Sequence, residues 1–168
     1  MTGGTNPAAG GGSGGSPHGN ANGYLGRAAL AGVATGLRSF SVAGVLIISG
    51  VPGLPVQLRR LKVRTLAGGA VAFELIVDKL PATGSRLEIP WLTIRAVVAA
   101  SAGAVLARGA RRPALPAMLV ASSAALAGAK LGHDVRVGAA RRFPPLAVAI
   151  VEDGIAFGLA AIASGLRR

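Results

Sequence analysis

Five of the six acidic residues of this chain lie in stretches that otherwise read as membrane-spanning. Glu74 and Asp78 stand in AVAFELIVDKL, Asp134 in AGAKLGHDV, and Glu152 and Asp153 in LAVAIVEDGIAFGLA, whereas Glu88 alone sits in an evident loop. A carboxylate inside a bilayer costs at least about 2.5–3.5 kcal/mol on the insertion scale. The chain has put nearly all of its acid where acid is hardest to accommodate. That distribution points to a polar site inside a bundle of helices.

The rest of the sequence agrees with a bilayer as the solvent. Hydrophobic residues make up 51% and charged residues only 14%, where about 25% charged is usual for a soluble domain. The mean hydropathy is +0.56. The apolar content comes from Ala, Val, Leu and Ile rather than from aromatics. We read an all-α, polytopic transmembrane helical bundle. The 168 residues leave room for one such bundle and a tail. Residues 1–23 are a low-complexity run of Gly, Ser, Asn and Pro that cannot bury enough apolar surface to order itself. They are expected to form a disordered tail in which His18 is incidental, and they lack the basic start and apolar run of a cleavable signal peptide. Residues 24–168 form the membrane domain.

The net charge is +12. Such a balance can mark a nucleic-acid partner, but here the cations cluster at the ends of the apolar segments, at Arg59, Arg60, Lys62 and Arg64, at Arg108, Arg111 and Arg112, at Arg141 and Arg142, and at Arg167 and Arg168. That is how flanking charges anchor spans to lipid headgroups, and no aromatic interleaving suggests base stacking. The partner expected is the lipid bilayer, not nucleic acid. With no cysteine in the chain, disulfides, thiolate catalysis and Cys-ligated metals are excluded. There is no G-x-S-x-G, H-E-x-x-H or P-loop motif, so nothing calls for a cofactor or marks an enzyme. His133, without a second histidine nearby, is a weak metal signal.

Five apolar segments follow the tail, at about residues 24–49, 61–80, 91–107, 113–137 and 144–166. About 20 helical residues cross a typical hydrocarbon core, which predicts about five spans. Trp91 suits an interfacial anchor at the start of the third. Lys and Arg are slightly more numerous on the side of the first and third loops and the C-terminus, which favours an outside N-terminus and a cytoplasmic C-terminus. Small residues recur four apart, as Gly32/Gly36, Gly128/Gly132 and Gly154/Gly158. Such pairs let helix backbones approach closely where lipid supplies no hydrophobic drive for association, and they make a homo-oligomer plausible.

The charged residues have an order of their own. Glu74 and Asp78 are spaced i,i+4 and share a helix face, as do Lys130 and Asp134. Glu152 and Asp153 are adjacent, and therefore about 100° apart around a helix. Glu74 is about 10 Å in from Pro81, Asp134 about 10 Å in from Arg141, Lys130 about 16 Å in, and Glu152 about 12 Å in from Pro144. Arg38 reaches a comparable depth if the first span begins near Leu30. Charges from four segments are thus expected at one level, with Arg38, Lys79 and Lys130 as counter-ions to an acidic excess that would bind a cation or carry protons. Segments one and two, and four and five, also read as two hairpins around the third, each with a basic residue beside a small-residue pair and a closing pair of carboxylates. With one span between, they would be inverted repeats, a transporter architecture. A small ion- or proton-coupled transporter or channel is the first reading. A membrane-embedded enzyme acting on lipid headgroups, with the same carboxylates as acid, base or metal ligands, is the second. A structural or assembly subunit held by its ion pairs is the third.

The motifs GLRSFS (residues 36–41), FELIVDKLP (73–81), TGSR (83–86), KLGHDVR (130–136) and VEDGIAFG (151–158), in that order, resemble the DUF4126 family of small bacterial integral membrane proteins. The resemblance covers roughly residues 25–165, and its most specific element is E-x3-D-K-x-P with a downstream E-D. Gly84 stands where the family pattern leads one to expect proline. The resemblance implies an all-helical protein of the bacterial cell membrane and no assigned activity. It places the family's polar positions on Arg38, Glu74, Asp78, Lys79, Arg86, Glu152 and Asp153, with Arg86 as a loop contact.

Overall fold

The computed structural model describes the backbone of residues 21–77, 89–139 and 141–165, and the side chains of 23–73, 89–139 and 141–165. Among the described residues the chain is all helix apart from turns: α1 (Ala21–Leu37), α2 (Ser41–Ser49), a short 3-10 turn (Val56–Arg59), α3 (Leu61–Val77), α4 (Ile89–Gly109), α5 (Ala114–Ala139) and α6 (Pro145–Ser164). Helix α1 thus starts three residues before Tyr24, the expected start of the ordered chain. Among the described residues three helices, α4, α5 and α6, are long and apolar enough to cross a membrane.

The first apolar segment differs most from expectation. The sequence reading made residues 24–49 one span; the structure breaks it at residues 38–40 into α1 and α2. Local sequence explains why it can break there. Gly36, Ser39 and Ser41 are weak helix formers, and serine competes for backbone hydrogen bonds outside helices. The chain then reverses. Arg27 of α1 donates through Nε to the Ala163 carbonyl at 2.7 Å, whereas Arg38, at the other end of α1, meets Asp153 of α6. Past the break, Val42 and Leu46 share a buried cluster with Ala160 and Ala163, so α2 returns toward the end from which α1 started. The return ends at a tight fit. Gly53, with a φ of +96°, lies against the backbone of Val105 and Gly109 near the end of α4, where a Cβ would clash.

Helix α1 is the centre of the bundle and packs on α5, α4 and α6. Its contact with α5 is backbone to backbone. A Cβ on Gly32 would strike the Ala121 carbonyl, and one on Gly36 would strike the Ala125 carbonyl and the Ala129 amide. The facing stripe on α5 is Ala117, Ala121, Ala125 and Ala129, one residue per turn and fully or nearly buried. Gly128 meets Val33 from the other side, and Gly103 of α4 meets Ala117. The expected close approach at Gly32/Gly36 and at Gly128 is therefore present. Gly154 and Gly158 have nothing within 4 Å of an added Cβ.

Most buried apolar side chains are alanine, while Leu115, Leu119, Leu126, Leu131, Ile150 and Ile155 are more than two-fifths exposed. A water-soluble fold would bury the large side chains first. Small residues inside and large ones outside is how helices pack when lipid covers the outer face. Helix α3 is peripheral and packs on α2 and the 3-10 turn, with Val71 filling the space at Gly44. Helices α5 and α6, though consecutive, barely touch, because α6 packs on α1 and α2 instead.

Candidate functional site: a charged helix break

Ending α1 at Leu37 strands the carbonyls of its last turn, which a continuing helix would have satisfied. The guanidinium of Arg95 takes up one of them. Its Nη1 donates to the Gly36 carbonyl at 3.0 Å and its Nε to Ser39 Oγ at 3.1 Å, and the residue is 6% exposed. A cation there also meets the negative end of the α1 dipole. Arg38, the first residue of the break, is buried and donates through Nη2 to Asp153 Oδ1 on α6; the two side chains are 1% and 14% exposed. Ser41, the first residue of α2, is fully buried. The break is therefore a polar tip built by three parts of the chain: Arg38, Ser39 and Ser41 on the hairpin, Arg95 on α4 and Asp153 on α6.

The tip is far from the bundle ends. Arg95 lies six residues, about 9 Å, past the start of α4, and Asp153 eight residues, about 12 Å, past the start of α6. Gly36 packs level with Ala129, ten residues or about 15 Å before the end of α5.

A second, half-buried pair lies beside it. Arg136 of α5 donates through Nη2 to Glu152 Oε2, with side chains 33% and 11% exposed. The adjacency of Glu152 and Asp153 explains the division. A rotation of about 100° per residue aims one carboxylate at α5 and the next at the hairpin tip. Lys130 and Asp134 are not part of either pair. They bond to each other at 3.0 Å along α5, with side chains 75% and 55% exposed. His133 beside them is exposed.

Of the candidate residues, the structure thus brings Arg38 and Asp153 together, sets Glu152 nearby with Arg136, and leaves Lys130 and Asp134 on an outer face. Glu74 lies on α3, with its side chain outside the described set. Asp78, Lys79 and Arg86 lie outside the described residues. Two site residues were missed by the sequence reading. Neither Arg95 nor Arg136 is among the candidates selected from the sequence: Arg95 is only about 6 Å in from Trp91, the expected start of its segment, and gains depth because α4 begins earlier, at Ile89. Among the described residues no cluster of three or more His, Cys, Asp or Glu side chains could hold a metal ion.

An apolar cleft of about 440 Å³ opens where α5 and α6 diverge, floored by Val33 and Leu37 of α1 and bordered by the Arg136–Glu152 pair. In comparisons with known proteins, no family model matches the chain, and neither a curated protein nor a solved structure is significantly similar to it.

Proposed function

We propose that the protein is a multi-pass protein of the bacterial cell membrane that moves ions or protons, with the charged helix break as its site. The observation that carries this reading is the reversal of the first apolar segment at a buried Arg38–Asp153 pair, level with the interior of three helices long enough to span a bilayer. Non-helical backbone at membrane depth is tolerated only where protein buries it or where it lines a polar cavity. Transporters use broken helices in this way to present backbone dipoles and ionisable groups to an ion. On this reading α1 and α2 form a re-entrant hairpin whose tip holds Arg38, Ser39 and Ser41, faced by Arg95 and Asp153. Glu74 belongs to the same polar region by the depth argument from sequence, with Asp78 on its helix face and Lys79 as a counter-ion, and Arg86 is a loop contact. Membership of the DUF4126 family is part of the proposal and rests on motif order. The exposed Gly154/Gly158 face of α6 supports packing against a second copy.

The test is reconstitution in liposomes with proton and cation flux measured for wild type, Asp153→Asn and Lys130→Ala. Wild-type flux that is lost in Asp153→Asn and kept in Lys130→Ala is the expected result. No wild-type flux across several ions and both pH gradients would sink the transport reading.

The pairing of Arg38 with Asp153 and of Arg136 with Glu152 favours one second reading, a structural or assembly subunit. The reversed pair Arg38→Asp with Asp153→Arg separates the two. An assembly role predicts that stability and function return together. A transport role predicts a folded protein without flux, because the charge facing the path has changed sign.

A further inference from the structure

We propose that the cleft between α5 and α6 is a binding site for one acyl chain of an anionic phospholipid, with the arginines at its outer end holding the headgroup. The inference rests on the reading that α5 and α6 cross the bilayer; it does not depend on transport. The cleft volume of about 440 Å³ falls in the range of about 300–1,000 Å³ typical of sites for small organic ligands. It is open on the outside, because Leu131, Val135, Phe143, Val151 and Ile155 line it and are each more than half exposed. Gly128 and Gly132 on the α5 wall let Val33 and Leu37 form the floor, and Ala147 is the small residue on the α6 wall. From Gly128 to Ala139, both lining residues, the α5 wall runs about 16 Å. The space is therefore a long, narrow apolar slot rather than a polar channel. In a bilayer, its open side faces acyl chains.

Charge selects which lipid. Arg136 lines the slot, and Arg141 and Arg142 stand exposed in the turn between Ala139 and Phe143, which line its outer end. The sole acid among the lining residues is Glu152, already engaged with Arg136. The outer end is thus cationic, and a phosphate at that level completes it. A basic residue near an anionic headgroup strengthens binding by roughly fivefold.

The experiment is native mass spectrometry of the full-length, delipidated protein in detergent, titrated separately with phosphatidylglycerol, phosphatidylcholine and oleic acid. The variants are Ala147→Phe and Val135→Phe, which fill the slot from opposite walls, and the double variant Arg141→Gln/Arg142→Gln. Helicity and thermal unfolding identify any variant that has not folded, and the two filling variants are independent. We expect a one-lipid adduct with phosphatidylglycerol at lower concentration than with phosphatidylcholine. We expect its loss in either folded filling variant, and a fall of roughly tenfold or more in the phosphatidylglycerol preference in the double arginine variant. An equal adduct in a folded filling variant, no wild-type adduct, or a stronger adduct with oleic acid than with either phospholipid would overturn the proposal. Failure of the membrane reading itself has a different signature: the protein would leave cell membranes in an alkaline wash and stay soluble without detergent.

Discussion

Arg38–Asp153 and Lys130–Asp134 are both a basic residue paired with an aspartate beside two glycines four apart, yet they occupy opposite surroundings. The first joins two elements 115 residues apart and is almost fully buried; the second joins neighbours on one helix and is largely exposed. Helix α5 runs unbroken past Lys130, while α1 stops at Leu37 and the chain turns back. The proposed inverted repeat matched these two residues to each other, and nothing in their local structure supports the match. The contrast shows that a charge in an apolar segment gains its meaning from what its helix packs against. Arg38 directly follows the helix that α4, α5 and α6 surround, and Lys130 lies on the outer face of one of those neighbours.

The comparison is most directly broken at Asp153. Removing one partner of a buried ion pair typically costs about 3–5 kcal/mol, because the other charge loses its compensation. Asp153→Ala should therefore lower the unfolding midpoint in detergent strongly, and should do so more than any change at Asp134. A loss no larger than that of Asp134→Ala would erase the distinction drawn here. The next largest effect is expected at Gly36, where a side chain must displace the α5 backbone. Gly36→Val should destabilise by about 1–3 kcal/mol, whereas the same change at Gly154 or Gly158 should leave the monomer's stability unchanged and act, if at all, on self-association measured by cross-linking. Glu152→Gln should cost a comparable amount, about 1–3 kcal/mol, as Arg136 keeps a polar but uncharged neighbour. At the small end, Lys130→Ala removes an exposed i,i+4 pair worth about 0.3–0.5 kcal/mol. Flux and melting temperature both close to wild type are expected there, and a flux defect would restore Lys130 to the site.

Much of the candidate site is legible in the sequence, and the part that is not has a physical reason. Depth along a helix is a count of residues, so Arg38, Glu152 and Asp153 could be selected by arithmetic. Partner choice is a matter of rotation, and sequence gave no reason to prefer Asp153 over Glu152 as the counterpart of Arg38. Arg95 sits only about one turn into its apolar segment, where a basic residue reads as a flanking anchor. Only the stranded Gly36 carbonyl across the bundle shows what it caps.

By itself the sequence determined that the chain would be helical, that its outer surface would suit lipid, and that spaced glycines such as Gly32 and Gly36 would carry helix contacts, because composition and the 3.6-residue repeat act locally. The tertiary structure alone decided that residues 24–49 form a hairpin rather than one span. Hydropathy sums apolar residues along a chain and is blind to its direction, so a segment that crosses and one that turns back at residues 38–40 score alike. What selects the turn is a set of long-range partners, Arg95 on the freed carbonyl, Asp153 on Arg38 and the α4 backbone against Gly53, and these exist only once the helices have packed.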